Sequence, residues 1–301
     1  MNTVKNIALI GGTHGNELSG IYLVKKWQQN RTLTQWPELS ITTKISNPRA
    51  CENSVRYMES DLNREFCQAD LDDNSKVGYE QLLAKKLNAE LGPKGASPFD
   101  FIIDLHNTTS NMGACLMLLK KDDFNLKLGA YVKSRMPESN IYFQDNIPEN
   151  KRSFLITIAE QGVTVEVGAQ PNSVLQHKTL ELMETMTAHI LNFCEQYNQG
   201  SELDLPDGYE AFQYCGDLKL PMTENGERNG MVLKSIDQRD FSPVEPGQAI
   251  METFDGQLIY WEGDYTAYPL FINEAAYRKS SNAMSLSKKI TISGYQACLT
   301  E

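Results

Sequence analysis

Over the first two hundred residues, short apolar runs alternate with stretches of helical periodicity, and this alternation leaves few architectures open. The spacing predicts strands at 6–10, 40–46, 99–105, 114–119, 140–143 and 162–167. It predicts helices at 18–28, 76–91, 124–136 and 173–197. Several strand runs are apolar almost throughout, as strands covered on both faces are. The expected fold is α/β: a mixed, largely parallel central sheet with helices on both faces. Near Asn198 the composition turns polar, and Asn198 to Pro206 reads as a boundary. Beyond it, turn pairs such as Asn225-Gly226, Pro246-Gly247 and Asp255-Gly256 separate short apolar runs. The expected division is residues 1–200 as one domain and 201–301 as a smaller C-terminal β-rich domain.

The 301 residues carry 28 basic and 39 acidic side chains, a net charge of −11. That balance argues against nucleic-acid partners, which select a basic face, and against anionic membrane surfaces. No apolar run approaches the roughly 20 residues of a membrane span. Lys5 and Asn6 come too early for a secretory apolar core, so a cytoplasmic location is expected. The six cysteines form no CxxC pair, and reduced, mostly buried thiols are expected. Of four histidines, His177 and His189 read as ordinary helix residues. The other two lie at predicted strand ends.

Open sheets of this kind bind ligands beyond the carboxyl ends of their strands. His14 and Glu17 follow the first strand in Gly11-Gly12-Thr13-His14-Gly15-Asn16-Glu17, three residues apart where strand turns into helix. Side chains with that spacing on a helical turn share a face. His106 ends the 99–105 strand in Asp104-Leu105-His106. Two imidazoles and a carboxylate form a ligand set that suits zinc and leaves a position open for water. The same residues also fit a loop histidine and a glutamate favoured at a helix N-terminus. Glu166 lies between Val165 and Val167 near the end of another strand, where burial raises a carboxyl pKa toward that of a general base. Arg56 and Arg64 flank Asp61 and Asn63 within nine residues, a cluster able to fork onto a carboxylate. Taken without context it reads first as a polar surface loop with solvated charges. Tyr277 offers a phenol to a substrate or simply packs.

GGTHGNELSG (11–20), NPRA (47–50), RYMESDLNR (56–64), DLHNTTSNMG (104–113), VEVGAQP (165–171) and NEAAY (273–277) occur in this order along nearly the whole chain. In these motifs the sequence resembles the aspartoacylase family, a branch of the zinc carboxypeptidase-like amidohydrolases that includes succinylglutamate desuccinylases. The resemblance implies one zinc per chain, held by His14, Glu17 and His106, with Glu166 as general base and acid. It implies that Arg56 polarises the scissile carbonyl and that Asn63 and Arg64 bind the α-carboxylate. Asp61 would orient His14, Asn107 would lie against the acyl end, and Tyr277 would contact substrate. A C-terminal β domain that narrows the entrance and a homo-oligomer, often a dimer, are also implied. Relatives acting on N-acetylaspartate place an arginine before the base and a lysine just after NEAAY. Ile156 and Ser281 hold those positions here; Arg152, Arg278 and Lys279 are nearby cations able to substitute after small loop shifts, and Arg152 is expected to bind substrate. The expected reaction is zinc-dependent hydrolysis of N-acyl-L-amino acids, with N-acetyl-L-aspartate as first substrate. A deacylase for neutral or aromatic N-acyl amino acids is the alternative, and a non-catalytic carboxylate-binding module is the alternative from another class.

Overall fold

The computed structural model describes residues 3–299. Thirteen strands are seen: β1 (Asn6–Gly11), β2 (Ser40–Ile45), β3 (Phe101–Asn107), β4 (Gly113–Leu118), β5 (Asn140–Phe143), β6 (Gln161–Gly168), β7 (Gly208–Lys219), β8 (Gly230–Val232), β9 (Ala249–Thr253), β10 (Leu258–Tyr260), β11 (Tyr268–Leu270), β12 (Asn282–Ser293) and β13 (Gln296–Leu299). The helices are α1 (Leu18–Gln29), α2 (Pro48–Glu52), α3 (Gln68–Asp72), α4 (Tyr79–Leu91), α5 (Asp123–Arg135) and α6 (His177–Asn198). Ten strands join one sheet in the order β11-β12-β7-β5-β4-β6-β3-β1-β2, with β13 paired to β12. Within it β2, β1, β3 and β6 are parallel, and β4 is antiparallel to β6. The mixed, largely parallel sheet expected from the sequence is therefore present.

Period-two alternation divides these strands between two cores. Ile7 and Leu9 of β1, Phe101, Ile103 and Leu105 of β3, and Val163, Val165 and Val167 of β6 point to one core, shared with α1, α5 and α6. Ala8, Ile10 and Ile102 face the second core, which Leu87 of α4 and a 3-10 turn (Leu155–Ile158) complete. Asp104 and His106 continue the Ile102 face of β3. Gly162, Thr164 and Glu166 lie on the matching face of β6, opposite the valines. The parallel register sets His106 beside Glu166, and adjacent strands are about 5 Å apart. Strand geometry thus aims an imidazole and a carboxylate into the same space.

The polar stretch after α6 has no regular structure until β7 begins at Gly208. β7 then pairs in parallel with β5, Tyr142 opposite Phe212, so the main sheet continues across the predicted boundary. β8, β9 and β10 form a separate three-stranded sheet. A further cluster including Val232, Ile250 and Met284 packs this C-terminal part. Among the described residues no helix is long and apolar enough to cross a membrane. The described cysteines are all unpaired: Cys115 and Cys194 are buried, Cys51 and Cys67 partly so, and Cys215 is exposed. Cys298 has its side chain outside the described set.

Candidate active site

β1 ends in Gly11, and the chain reverses through Gly12 at φ +70°, a left-handed conformation that glycine adopts freely. His14 and Glu17 sit on the tight turn that follows, with the Glu17 amide donating to the His14 carbonyl at 3.3 Å. Helix α1 begins only at Leu18, so the two side chains converge across a turn rather than along a helix face. Gly15 is required for packing: a Cβ there would lie 2.0 Å from the Ala50 carbonyl carbon. The glycine therefore brings the loop onto α2.

The ligand atoms of His14, Glu17 and His106 are all buried and lie within 4.8 Å of one another. His14 Nδ1 is 2.6 Å from Glu17 Oε1, His106 Nδ1 is 2.9 Å from Glu17 Oε2, and the two Nδ1 atoms are 3.2 Å apart. A tetrahedral zinc with bonds near 2.0 Å needs ligand-to-ligand edges of about 3.3 Å. The outer nitrogen of each imidazole faces a carboxylate. His14 Nε2 lies 2.9 Å from Asp61 Oδ1, and His106 Nε2 lies 2.7 Å from Asp104 Oδ2. Such partners fix the ring and raise its basicity toward a metal. Two inner nitrogens and one carboxylate facing a common point, each ring backed by an acid, fit a divalent ion of the zinc type.

Arg56 completes the cluster. Its Nη1 donates to Glu17 at 2.9 Å, and its Nε and Nη2 donate to Asp61 at 3.3 and 3.2 Å. The Arg56–Asp61 loop is shaped by Glu80 of α4, a buried carboxylate that accepts from the amides of Met58, Glu59 and Ser60. Burial opposes ionisation of Glu17, but His14 and His106 outweigh it and hold the carboxyl far below its ordinary range. Burial likewise opposes ionisation of Asp61, and His14, Arg56 and Arg64 reverse it. Glu166 behaves differently. Burial, reinforced by Glu17 and Glu274 against the pull of His106 and Arg56, pushes it up to about 8. One carboxylate is thus kept charged at the ion position while its neighbour can carry a proton near neutrality, a separation suited to acid–base work.

His14, Glu17, Arg56, Asp61, His106 and Glu166 line one cavity of about 390 Å³, to which Asn63, Arg64, Asn107 and Tyr277 also contribute. Arg64 is exposed and stacks 5.2 Å over the Phe154 ring. Asn63 Oδ1 accepts from the Leu155 amide at 2.8 Å. Asn107 is committed to scaffolding: its Oδ1 accepts from the Ser19 amide and Gln170, and its Nδ2 donates to the Val167 carbonyl. Tyr277 shares a 2.9 Å hydrogen bond with Ser285, which donates to Asp217.

Comparison with known proteins identifies the family. Residues 3–194 match the family model for the succinylglutamate desuccinylase/aspartoacylase catalytic domain, and residues 207–289 match the AstE/AspA barrel-sandwich hybrid domain. The chain belongs to the succinylglutamate desuccinylase/aspartoacylase family. It is thereby a member of an amidohydrolase family of enzymes. A probable aspartoacylase of Acaryochloris marina is 40% identical, aligned over 97% of this chain and 98% of its own. An N-acyl-aromatic-L-amino acid amidohydrolase (carboxylate-forming) of Rattus norvegicus is 39% identical over 95% and 91%. The crystal structure of murine aminoacylase 3 superposes with a TM-score of 0.90 at 35% identity, covering both chains in full.

Against that family pattern, one predicted contact is misplaced. Arg152 does not enter the cavity that holds His14 and Glu166. Its Nε and Nη2 donate to the carbonyls of Ile147 and Asp145, and it lines a different cavity. Two backbone carbonyls of its own loop hold the guanidinium there, away from the site. Ile156 faces the site instead. Arg278 is exposed and not among the lining residues, and the Lys279 side chain lies outside the described set.

Three acids went unassigned from sequence. Asp104 had a legible signal, because Asp-x-His on a strand puts both side chains on one face. Glu80 and Glu274 had none. Glu274 of the NEAAY segment is buried and accepts from the Thr108 hydroxyl and from the Thr109 amide and hydroxyl, tying that segment to the loop after β3. Replacing Asp104 by asparagine is expected to weaken zinc affinity about 10–100-fold, read by competition with a chromophoric chelator. Unchanged affinity would remove Asp104 from any part in orienting His106.

Proposed function

We propose that this chain hydrolyses the amide bond of N-acyl-L-amino acids with uncharged side chains, using one zinc ion held by His14, Glu17 and His106. The observation that carries the proposal is the raised, buried Glu166 beside a His-Glu-His cluster whose rings are each backed by a carboxylate. Zinc bound there would polarise the acyl carbonyl and acidify a water. Glu166 removes a proton from the attacking water and returns it to the leaving amine. The Arg56 guanidinium, anchored on Glu17 and Asp61, donates to the oxygen as negative charge develops on it. Arg64, with Asn63 behind it, holds the α-carboxylate and so orients the amide. The C-terminal residues 201–301, proposed as a second domain, supply Tyr214, Phe271 and Tyr277 to the cavity wall and narrow its entrance.

Side-chain choice follows from charge. Among the described lining residues the cations are Arg56 and Arg64, against Glu17, Asp61, Glu166, Asp217 and Glu274. Both arginines have roles in the amide and α-carboxylate chemistry. An aspartate side chain would bring a second carboxylate with no cation of its own into an acidic cavity, a cost that close pairing would have to offset. Arg152 would have been that partner. Met117, Leu119, Ile147, Phe154 and Ile156 offer apolar contact instead.

A panel of N-acetyl-L-phenylalanine, N-acetyl-L-leucine and N-acetyl-L-aspartate, followed by amine release, tests this. The expected kcat/KM for the two apolar substrates exceeds that for N-acetyl-L-aspartate by at least about tenfold. The reverse order would return the assignment to the acidic substrate. Binding of all three without turnover by zinc-loaded protein would favour a carboxylate-binding module.

A further inference from the structure

A second cavity, about 450 Å³, lies back to back with the first. The two share two lining residues, Leu119 and Ile156. Both are buried members of the second core. The partition has a clear structural origin. Along β6, Gly162, Thr164 and Glu166 occupy one face; Thr164 and Glu166 line the first cavity, and Gly162 lines the second. The 3-10 turn carrying Ile156 sits directly on Gly162, where a Cβ would come within 2.4 Å of the Ile156 carbonyl oxygen. The turn crosses the strand at the residue without a side chain, and Ile156 divides the space above it.

The same turn adjoins the anchor for substrate. Its Leu155 amide donates to Asn63, and Phe154 stacks under Arg64. An amino acid held by its α-carboxylate at Arg64 carries its side chain on the adjacent Cα, in the same cavity that Phe154, Ile156 and Leu119 line. We infer that Ile156 and Leu119 form a partition that sets how long an amino-acid side chain the pocket accepts, and that thinning it opens the second cavity as an extension. This rests on the proposed N-acyl amino acid chemistry for its substrate class, while the partition is a property of the two cavities.

The unmodified protein gives the first test. Its kcat/KM is expected to fall about tenfold or more between N-acetyl-L-phenylalanine and N-acetyl-L-4-phenylphenylalanine. In Ile156→Ala, and separately in Leu119→Ala, the ratio of the longer to the shorter substrate is expected to rise by about tenfold or more. Lengthening the acyl chain from acetyl to hexanoyl on phenylalanine is expected to leave the variant-to-wild-type ratio unmoved. A flat side-chain profile in the unmodified protein overturns the inference without any variant. So does a variant response confined to the acyl series. Calorimetric binding of free L-phenylalanine and L-4-phenylphenylalanine is measured alongside. Length selection in binding without hydrolysis keeps the partition and refutes the chemistry; hydrolysis without length selection does the opposite, and absence of both refutes both.

Discussion

Glu166→Gln is expected to bind zinc as the unmodified protein does and to lose turnover by about 10²–10⁴-fold. Glutamine keeps the size and polarity of the side chain but cannot accept the water proton or pass it on. The residue is not among the three converging ligand atoms, so the ion stays. The variant also reports on the electrostatics of the site. With the metal removed, the Glu166 carboxyl has its pKa raised from 4.5 to about 8, first by burial and then by Glu17 and Glu274. Between those values the folded state keeps a proton that the unfolded state has released, so this group's contribution to stability falls as pH rises. Below 4.5 both states are protonated and the contribution is constant. Glutamine has no such dependence. Chelated Glu166→Gln is therefore expected to melt above chelated wild type at pH 8, with the gap closing toward pH 5. An equal gap at both pH values would show that Glu166 titrates normally, and wild-type turnover would take the base from it altogether.

His106→Ala is expected to abolish zinc binding and turnover together and to weaken the fold. Two ligands remain, too few for a buried structural or catalytic site of the zinc type. The substitution also strips a partner from Asp104, which is fully buried and otherwise accepts from Thr13 at 2.7 Å. Leaving a buried carboxylate without its cationic partner costs about 3–5 kcal/mol. The same loss is expected whether or not zinc is supplied, which separates it from simple metal depletion. Elemental analysis and thermal melts of dialysed protein read both effects. Full zinc occupancy in the variant would place the ion elsewhere.

The sequence carried much of this arrangement because much of it is local. Runs such as Ile7 to Ile10 and Phe101 to Leu105 locate strands to within a residue or two, since burial on both faces demands apolar residues throughout. Once the strands are placed, alternation alone puts Asp104, His106, Thr164 and Glu166 on one side of the sheet. The convergence of His14 with His106 follows from strand ends meeting at one edge. What was not legible depends on distant chain segments. Arg152 was expected at the substrate and instead serves the Ile147 and Asp145 carbonyls, because a loop's own backbone acceptors leave no periodicity to read. Glu80 and Glu274 are single acids whose partners lie about twenty and more than a hundred and sixty residues away. The polar stretch near residue 200 marks a change in composition, but the pairing of β7 with β5 carries the main sheet past it.

The proposed chemistry needs one ion shared by three side chains, so the most direct measurement is anomalous diffraction at the zinc edge from crystals of the zinc-loaded protein. The expected map has a single strong peak per chain, coordinated by His14 Nδ1, His106 Nδ1 and the Glu17 carboxylate, with Glu166 close by and unligated. A chain that hydrolyses N-acyl amino acids while its peak lies away from these three residues, or is absent, would contradict it.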